Sequence, residues 1–281
     1  MAEIENRKPE HFYHAEAHAL SGHLVLPIKR TIEPQIPLSI LPSGGYNSQR
    51  AGIFHLEQVI SYRSAYTEVA GNKEEKPGHG WSTLATAVIE GLNILEVVTA
   101  DRVVAQISTE HPLIGHVPHI TFLGTRFENL RIAGHPVHLD LDLNFLGPKP
   151  AQDAPYNSNR SLIERIAKQR KRITEDKNLP EEVRERYNRL PKETSDSDSM
   201  HCSLVNQVNG ELPAHHAGHV IHVPDFGTIH LAAVHVHHEE FHHGTPLKTT
   251  VDLKMIEAHM GCLATGTVGV ATAKTNGKGT P

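Results

Sequence analysis

LATAVIEGLNILEVVTADRVV, Leu84–Val104, is the stretch on which the fold turns. Its alanines and leucines invite a helix. Yet Thr86, Val88, Ile89, Ile94, Val97, Val98, Thr99, Val103 and Val104 are β-branched. Such side chains lose rotamer freedom against a helix's preceding turn and pack well on a pleated surface. The stretch therefore reads as parts of two strands, over 81–90 and 92–108.

Upstream the same texture recurs. From Phe12, residues Tyr13, Ala15, Ala17 and Ala19 alternate with His14, Glu16, His18 and Leu20, a period of two that fits a half-buried strand. Pro34, Pro37 and Pro42 punctuate the residues beyond it, and Ser43-Gly44-Gly45 makes a turn. Further strands are expected over 53–69 and over 129–146, the latter broken at Gly134-His135-Pro136. Lys73–Gly80 reads as a polar loop.

Near Asn157 the pattern changes. Leu162, Ile163, Ile166 and Ile173 recur at helical spacing in a charged background, and Leu179, Val183, Tyr187 and Leu190 form a second stripe. Pro180 suits a first helical turn, Glu181 and Glu182 complement the helix dipole, and Pro191 stops the helix. The spacing predicts a two-helix excursion over 158–190, followed by a mobile linker, Thr194–Ser199. Strands resume at 202–209, 218–224, 227–241, 247–260 and 262–273. The fold class is all-β: an antiparallel β-sandwich or closed β structure with a two-helix insertion. A parallel α/β sheet needs a helix after each strand, and these are missing. The expected organisation is a flexible N-terminus (1–10), a β region (11–149), the helical insertion and linker (150–200), a histidine-rich β region completing the same domain (201–274), and a flexible tail (275–281).

Composition bounds the function. The formal charge of −5 over 281 residues and 5% aromatics give neither the basic footprint nor the stacking platform of a nucleic-acid binder. No run approaches the length of a membrane-spanning helix, and MAEIENRKPEHFYHAEAHAL lacks the apolar core of a signal peptide. Cys202 and Cys262 allow one bridge or two thiols, but no CxxC. GxSxG, GxGxxG and GxxxxGK[ST] are all missing, so neither a nucleophile elbow nor a phosphate loop is legible.

The layout resembles the choice-of-anchor P family of bacterial secreted or cell-surface proteins. The resemblance is carried by AEAHALSGHLVL (Ala15–Leu26), STLATAVIEGLNILEVVTADRVVAQIST (Ser82–Thr109), FENLRIAGHPVHLDLDLN (Phe127–Asn144), FGTIHLAAVHVHHEE (Phe226–Glu240) and MIEAHMGC (Met255–Cys262). It implies an all-β exported protein at the cell surface without established enzymatic activity. It supplies no catalytic residues.

Histidine is the compositional outlier at 23 residues, eleven of them between His201 and His243. On a strand His235 and His237 share a face, with Val234 and Val236 on the other. Glu240 and His242 come next, so His235, His237, Glu240 and His242 are the expected ligands of a transition metal such as zinc, copper, nickel or iron. The run Gly227…His235-Val236-His237…Glu240…Gly244 also resembles a cupin metal motif, with gaps that do not fit. His219 and His222, three apart, face opposite sides if they lie on a strand. Asp140 and Asp142 read as a solvated strand face, and Lys168, Arg170, Lys171 and Arg172 as a solvated helix face.

The first expectation is thus a non-enzymatic binding or structural module with His-mediated metal binding and self-association through strand edges. The alternatives are a cupin-like metal-dependent enzyme and an intracellular protein whose helical insertion docks a protein partner.

Overall fold

The structure is a computed structural model that describes residues 10–73, 80–192, 194, 197–262 and 264–280. Two antiparallel sheets pack as a sandwich around one apolar core, with the helices inserted between strands of the second half. The first sheet carries, in spatial order, the strands Gly227–His242, Thr245–Gly261, Thr265–Thr280 and Glu10–Leu26, with shorter strands at either end. Ser199–Ser203 also pairs with Gly227–His242. The second sheet is built on Ser64–Lys73, Trp81–Ile94 and Val98–His111. Leu84–Val104 is strand on both sides of a short turn, as its β-branched residues predict.

The helical excursion is also where expected. α1 spans Arg160–Thr174 and α2 spans Glu181–Arg189. Asn159 caps α1 by accepting the Leu162 amide hydrogen bond at 3.3 Å. Leu162, Ile166 and Ile173 are buried along α1, and Leu179 and Val183 at the start of α2. Ile173, Leu179 and Val183 pack with Ala217 and Val220 of the first sheet's outer edge. Both apolar stripes are covered by the chain itself.

Four expectations are corrected. The tail from Thr275 is a strand: Thr265–Thr280 pairs with Glu10–Leu26 out to Glu10↔Thr280. Backbone pairing between two long neighbours overrides its poor strand composition. Ser199, expected in a mobile linker, opens a strand, and the Asp198 carbonyl accepts the His238 amide hydrogen bond at 2.8 Å. The strand over 129–146 is instead three short pieces, of which His138–Leu141 pairs with Val205–Asn209 in a separate two-stranded sheet. Gly45–Ala51, read only as the end of a turn, is an edge strand on Ser64–Lys73; its side chains are nearly all exposed and give no apolar alternation. The expected loose N-terminus lies outside the described residues except for Glu10, and the Lys73–Gly80 loop except for its two ends.

A crease in the first sheet positions the site. In each long strand two consecutive residues point into the core: Ala19 and Leu20, Val270 and Ala271, Met255 and Ile256, Leu231 and Ala232, all fully buried. The register aligns them, through Leu20↔Val270, Ile256↔Val270 and Leu231↔Ile256. Ala232 and Ala271 hold φ of 45° and 49°, a region that costs a non-glycine residue about 1–2 kcal/mol. The side-chain alternation therefore reverses along a line crossing four strands. The crease keeps one-to-one register across the strands, so it re-aims the side chains on either side of it without inserting a residue.

Candidate functional site: a histidine-lined cavity under the second helix

On the outer face of the first sheet, the crease brings forward His18 and Ser21, Thr272, Lys254 and Glu257, and His230, Ala233 and His235. α2 lies over them. Together they enclose a cavity of about 460 Å³, lined also by Arg186, Tyr187, His201, His219 and Asp252. The apolar contact of Val183 anchors the start of α2, and polar contacts hold its next turn. The Tyr187 hydroxyl sits 2.7 Å from His219 Nε2 and 3.0 Å from His230 Nδ1, donating to one imidazole and accepting from the other. Arg186 Nη2 donates to Glu257 Oε1 at 2.8 Å, and Lys254 Nζ donates to Glu257 Oε2 at 2.8 Å.

A second cluster lies along the same face. His201 stands opposite His235 in register, and their rings stack at 4.3 Å between centroids, 9° from parallel. The Ser199 hydroxyl lies 2.7 Å from His235 Nε2 and 3.3 Å from His201 Nε2. On the other side of the ring, His235 Nδ1 is 3.9 Å from Asp252 Oδ2.

Burial sets the electrostatics. It lowers the His201 and His219 pKa values to about 4, lowers His230 well below the ordinary range, and lowers His18 and His235. Burial raises the Asp252 carboxyl, against the opposing pull of Lys274 and His235. Glu257 resists its own burial: hydrogen bonds from His259, Lys254 and Arg186, with the Lys254 charge, hold it well below the carboxylate range. Arg186 and Lys254 balance Glu257 and Asp252 in formal charge. Neutral imidazoles at neutral pH leave the cavity walls polar without a strong net field.

His235 and His237 share a face, with Val234 and Val236 buried behind them, as the HxH spacing requires; their ring centroids are 6.0 Å apart. The rest of the expected ligand set does not converge on them. Glu240 has φ of 55° and is exposed, and the carboxylate beside His237 is that of Glu239, 3.6 Å from Nε2. His242 packs instead against His243 at the strand end. Among the described residues no group of three or more His, Cys, Asp or Glu is arranged to hold a metal ion. His219 is buried under Tyr187, while His222 lies near Thr228. Asp140 accepts from Asn206, and Asp142 faces Arg165. Both cysteines are thiols, Cys202 buried and Cys262 exposed. Among the described residues no helix is long and apolar enough to cross a membrane.

Sequence reasoning missed His201, Tyr187, Glu257 and the pairing of His219 with His230. It also missed His238, which faces the core: its Nδ1–H donates to Thr249 Oγ1 at 3.0 Å and its Nε2 accepts the Tyr156 amide at 3.1 Å. The available signal was the burial parity of Val234 and Val236, which extends to position 238.

The family described as a domain of unknown function (DUF8256) matches residues 11–237, and the chain belongs to it. No curated protein and no solved structure matches the chain. The matched stretch ends inside the Gly227–His242 strand, although the cavity also draws Asp252, Lys254 and Glu257 from the next strand.

Proposed function

We propose that this member of the family is a small-molecule binding module whose ligand occupies the cavity between the creased sheet face and α2. The observation that carries the reading is the cavity itself. It has the volume of a small-ligand site, and polar groups line it: the Tyr187 hydroxyl, the His18, His201, His219, His230 and His235 imidazoles and the Arg186–Glu257–Lys254 cluster. Balanced formal charge and neutral imidazoles favour an uncharged polar ligand over an anion. Export to the cell surface rests on the choice-of-anchor P resemblance alone. The apolar stripes of the insertion are covered by the chain's own sheet, which favours a lid over a docking arm for a protein partner.

The test is a fragment screen by NMR with the histidine side chains labelled. Fragments that bind are expected to move the imidazole signals of His18, His201 and His235 together. Ala233→Trp, which fills the cavity from its floor, is expected to abolish those shifts while the fold, checked by circular dichroism, is retained. Hits that move only histidines elsewhere, or that survive Ala233→Trp, would remove the cavity as the site.

A further inference from the structure

Ser199, His235 and Asp252 come from three neighbouring strands, Ser199–Ser203, Gly227–His242 and Thr245–Gly261. Their order along the outer face is hydroxyl, imidazole, carboxylate. The Ser199 hydroxyl lies 2.7 Å from His235 Nε2, within reach to donate to it. That bond requires the tautomer with the proton on His235 Nδ1, and Nδ1 is the atom that faces Asp252 Oδ2 at 3.9 Å. This separation is longer than a hydrogen bond; a shift of about 1 Å closes it, and such contacts commonly tighten only when substrate binds. His201 Nε2 lies 3.3 Å from the same hydroxyl, so in the complementary tautomer its N–H donates to Ser199 Oγ. Both lone pair and proton of the hydroxyl are thus oriented.

We infer that Ser199 is the nucleophile of an ester-hydrolysing site, with His235 as its general base and Asp252 as the residue that positions His235. The relay is defined by geometry rather than by chain order or a local motif. It rests on the cavity reading for the place of the substrate's body, since His201, His235 and Asp252 all line that cavity. An uncharged carboxylic ester fits the balanced charge of the walls.

In the acylation step Ser199 Oγ bonds to the ester carbonyl carbon as its proton passes to His235 Nε2. The carbonyl oxygen takes the negative charge, and the His201 N–H, 3.3 Å from the attacking hydroxyl, is the donor assigned to it. Collapse of that adduct breaks the carbon–oxygen bond to the alcohol, which leaves with the proton from His235. Water then attacks the acyl-serine and gives its proton to His235, which returns it to Ser199 Oγ. One ester and one water become one carboxylic acid and one alcohol. No oxidant or further co-reactant is needed.

The experiment uses the full chain with a fluorophosphonate probe and with p-nitrophenyl acetate. The expected result is one covalent adduct, mapped by mass spectrometry to Ser199, and hydrolysis that Ser199→Ala and His235→Gln each reduce at least tenfold. Asp252→Asn is expected to lower kcat at least tenfold with KM within twofold, and Asp252→Glu to restore part of it, a split that a merely structural role would not give. Free imidazole itself cleaves this ester, so an unchanged rate in Ser199→Ala assigns the reaction to the histidines and overturns the inference. Lack of an adduct on a folded wild-type chain also overturns it. Labelling of Ser199 without fragment binding in the cavity would remove the binding reading and keep the nucleophile; fragment binding without labelling would do the reverse.

Discussion

Lowering the pH from 8 to 5 is expected to remove much of this protein's stability, and the buried histidines set the size of the effect. The ordinary imidazole pKa is about 6.5, whereas burial holds His219 and His238 at about 4. At pH 5 the unfolded chain carries these protons and the folded chain does not. Linkage makes the difference about 2 kcal/mol per group. His219 and His238 are 4% and 1% exposed, so both take that figure in full, about 4 kcal/mol together. For His238 the geometry gives an independent reason: its Nε2 already accepts the Tyr156 amide, leaving no place for a second proton. His11 and His201, also lowered to about 4 by burial, act in the same direction, His201 at a discount because its ring opens onto the cavity. Because the unfolded state binds more protons, stability is complete above about pH 6.5 and falls as the pH drops toward 4. The depressed Glu257 begins to cost stability only below its unfolded value of 4.5, outside this window. The raised Asp252 carboxyl opposes the trend only at the acid end. A loss of about 4 kcal/mol is a large fraction of the roughly 5–15 kcal/mol that holds a domain folded. The assay is urea unfolding at pH 8, 7, 6 and 5 at matched ionic strength, with proton uptake read from the pH slope. His238→Asn is expected to lessen the loss by about 2 kcal/mol over the same range. Stability equal within 1 kcal/mol at pH 8 and pH 5, in a reversible transition, would refute the reasoning.

Three other perturbations act on single contacts. Tyr187→Phe removes a hydroxyl shared by two buried imidazoles; about 2 kcal/mol of stability is expected to be lost, and a loss under 0.5 kcal/mol in denaturant titration would mean that α2 is held by its apolar contacts alone. Gly227 has φ of 136°, and a Cβ there would lie 2.0 Å from the His259 carbonyl oxygen, so Gly227→Ala is expected to lower the melting temperature by 10 °C or more; an unchanged melting curve would count against the observed hairpin. With Cys262 exposed and Cys202 buried, a thiol reagent is expected to modify one cysteine quickly and the second only on unfolding, and two fast equivalents would contradict the packing around Cys202.

The collective titration of many imidazoles near pH 6.5, which the histidine count suggests, is also reduced by the fold. Burial lowers His11, His18, His201, His216, His219, His230, His235 and His238. The positive swing in mild acid is correspondingly smaller while the chain stays folded.

Local patterning was enough for the all-β class, the two helices and the shared face of His235 and His237. Each depends on side-chain rotamers, caps and periodicity within one segment, all written in neighbouring residues. The tail differs for the complementary reason: the strand nature of residues 275–280 comes from partners at Glu10–Ala15 and Lys248–Val251, not from its own glycines and lysine. The candidate site is further still from local signals. Counting alternate residues back from His235 places Ile229 and Leu231 on its face and His230 in the core. The backbone inversion at Ala232 reverses that assignment, buries the two apolar residues and delivers His230 to Tyr187. Nothing in the local alternation announces such a reversal, because it is stabilised by matching reversals in three other strands, two of them brought together from opposite ends of the chain. The same non-local pairing sets Ser199 beside His235 and His235 beside Asp252. Sequence determined which of the main segments are strand and which helix; only the tertiary structure decided which polar residues meet, since register across strands is fixed by packing and hydrogen bonding between segments that are distant along the chain.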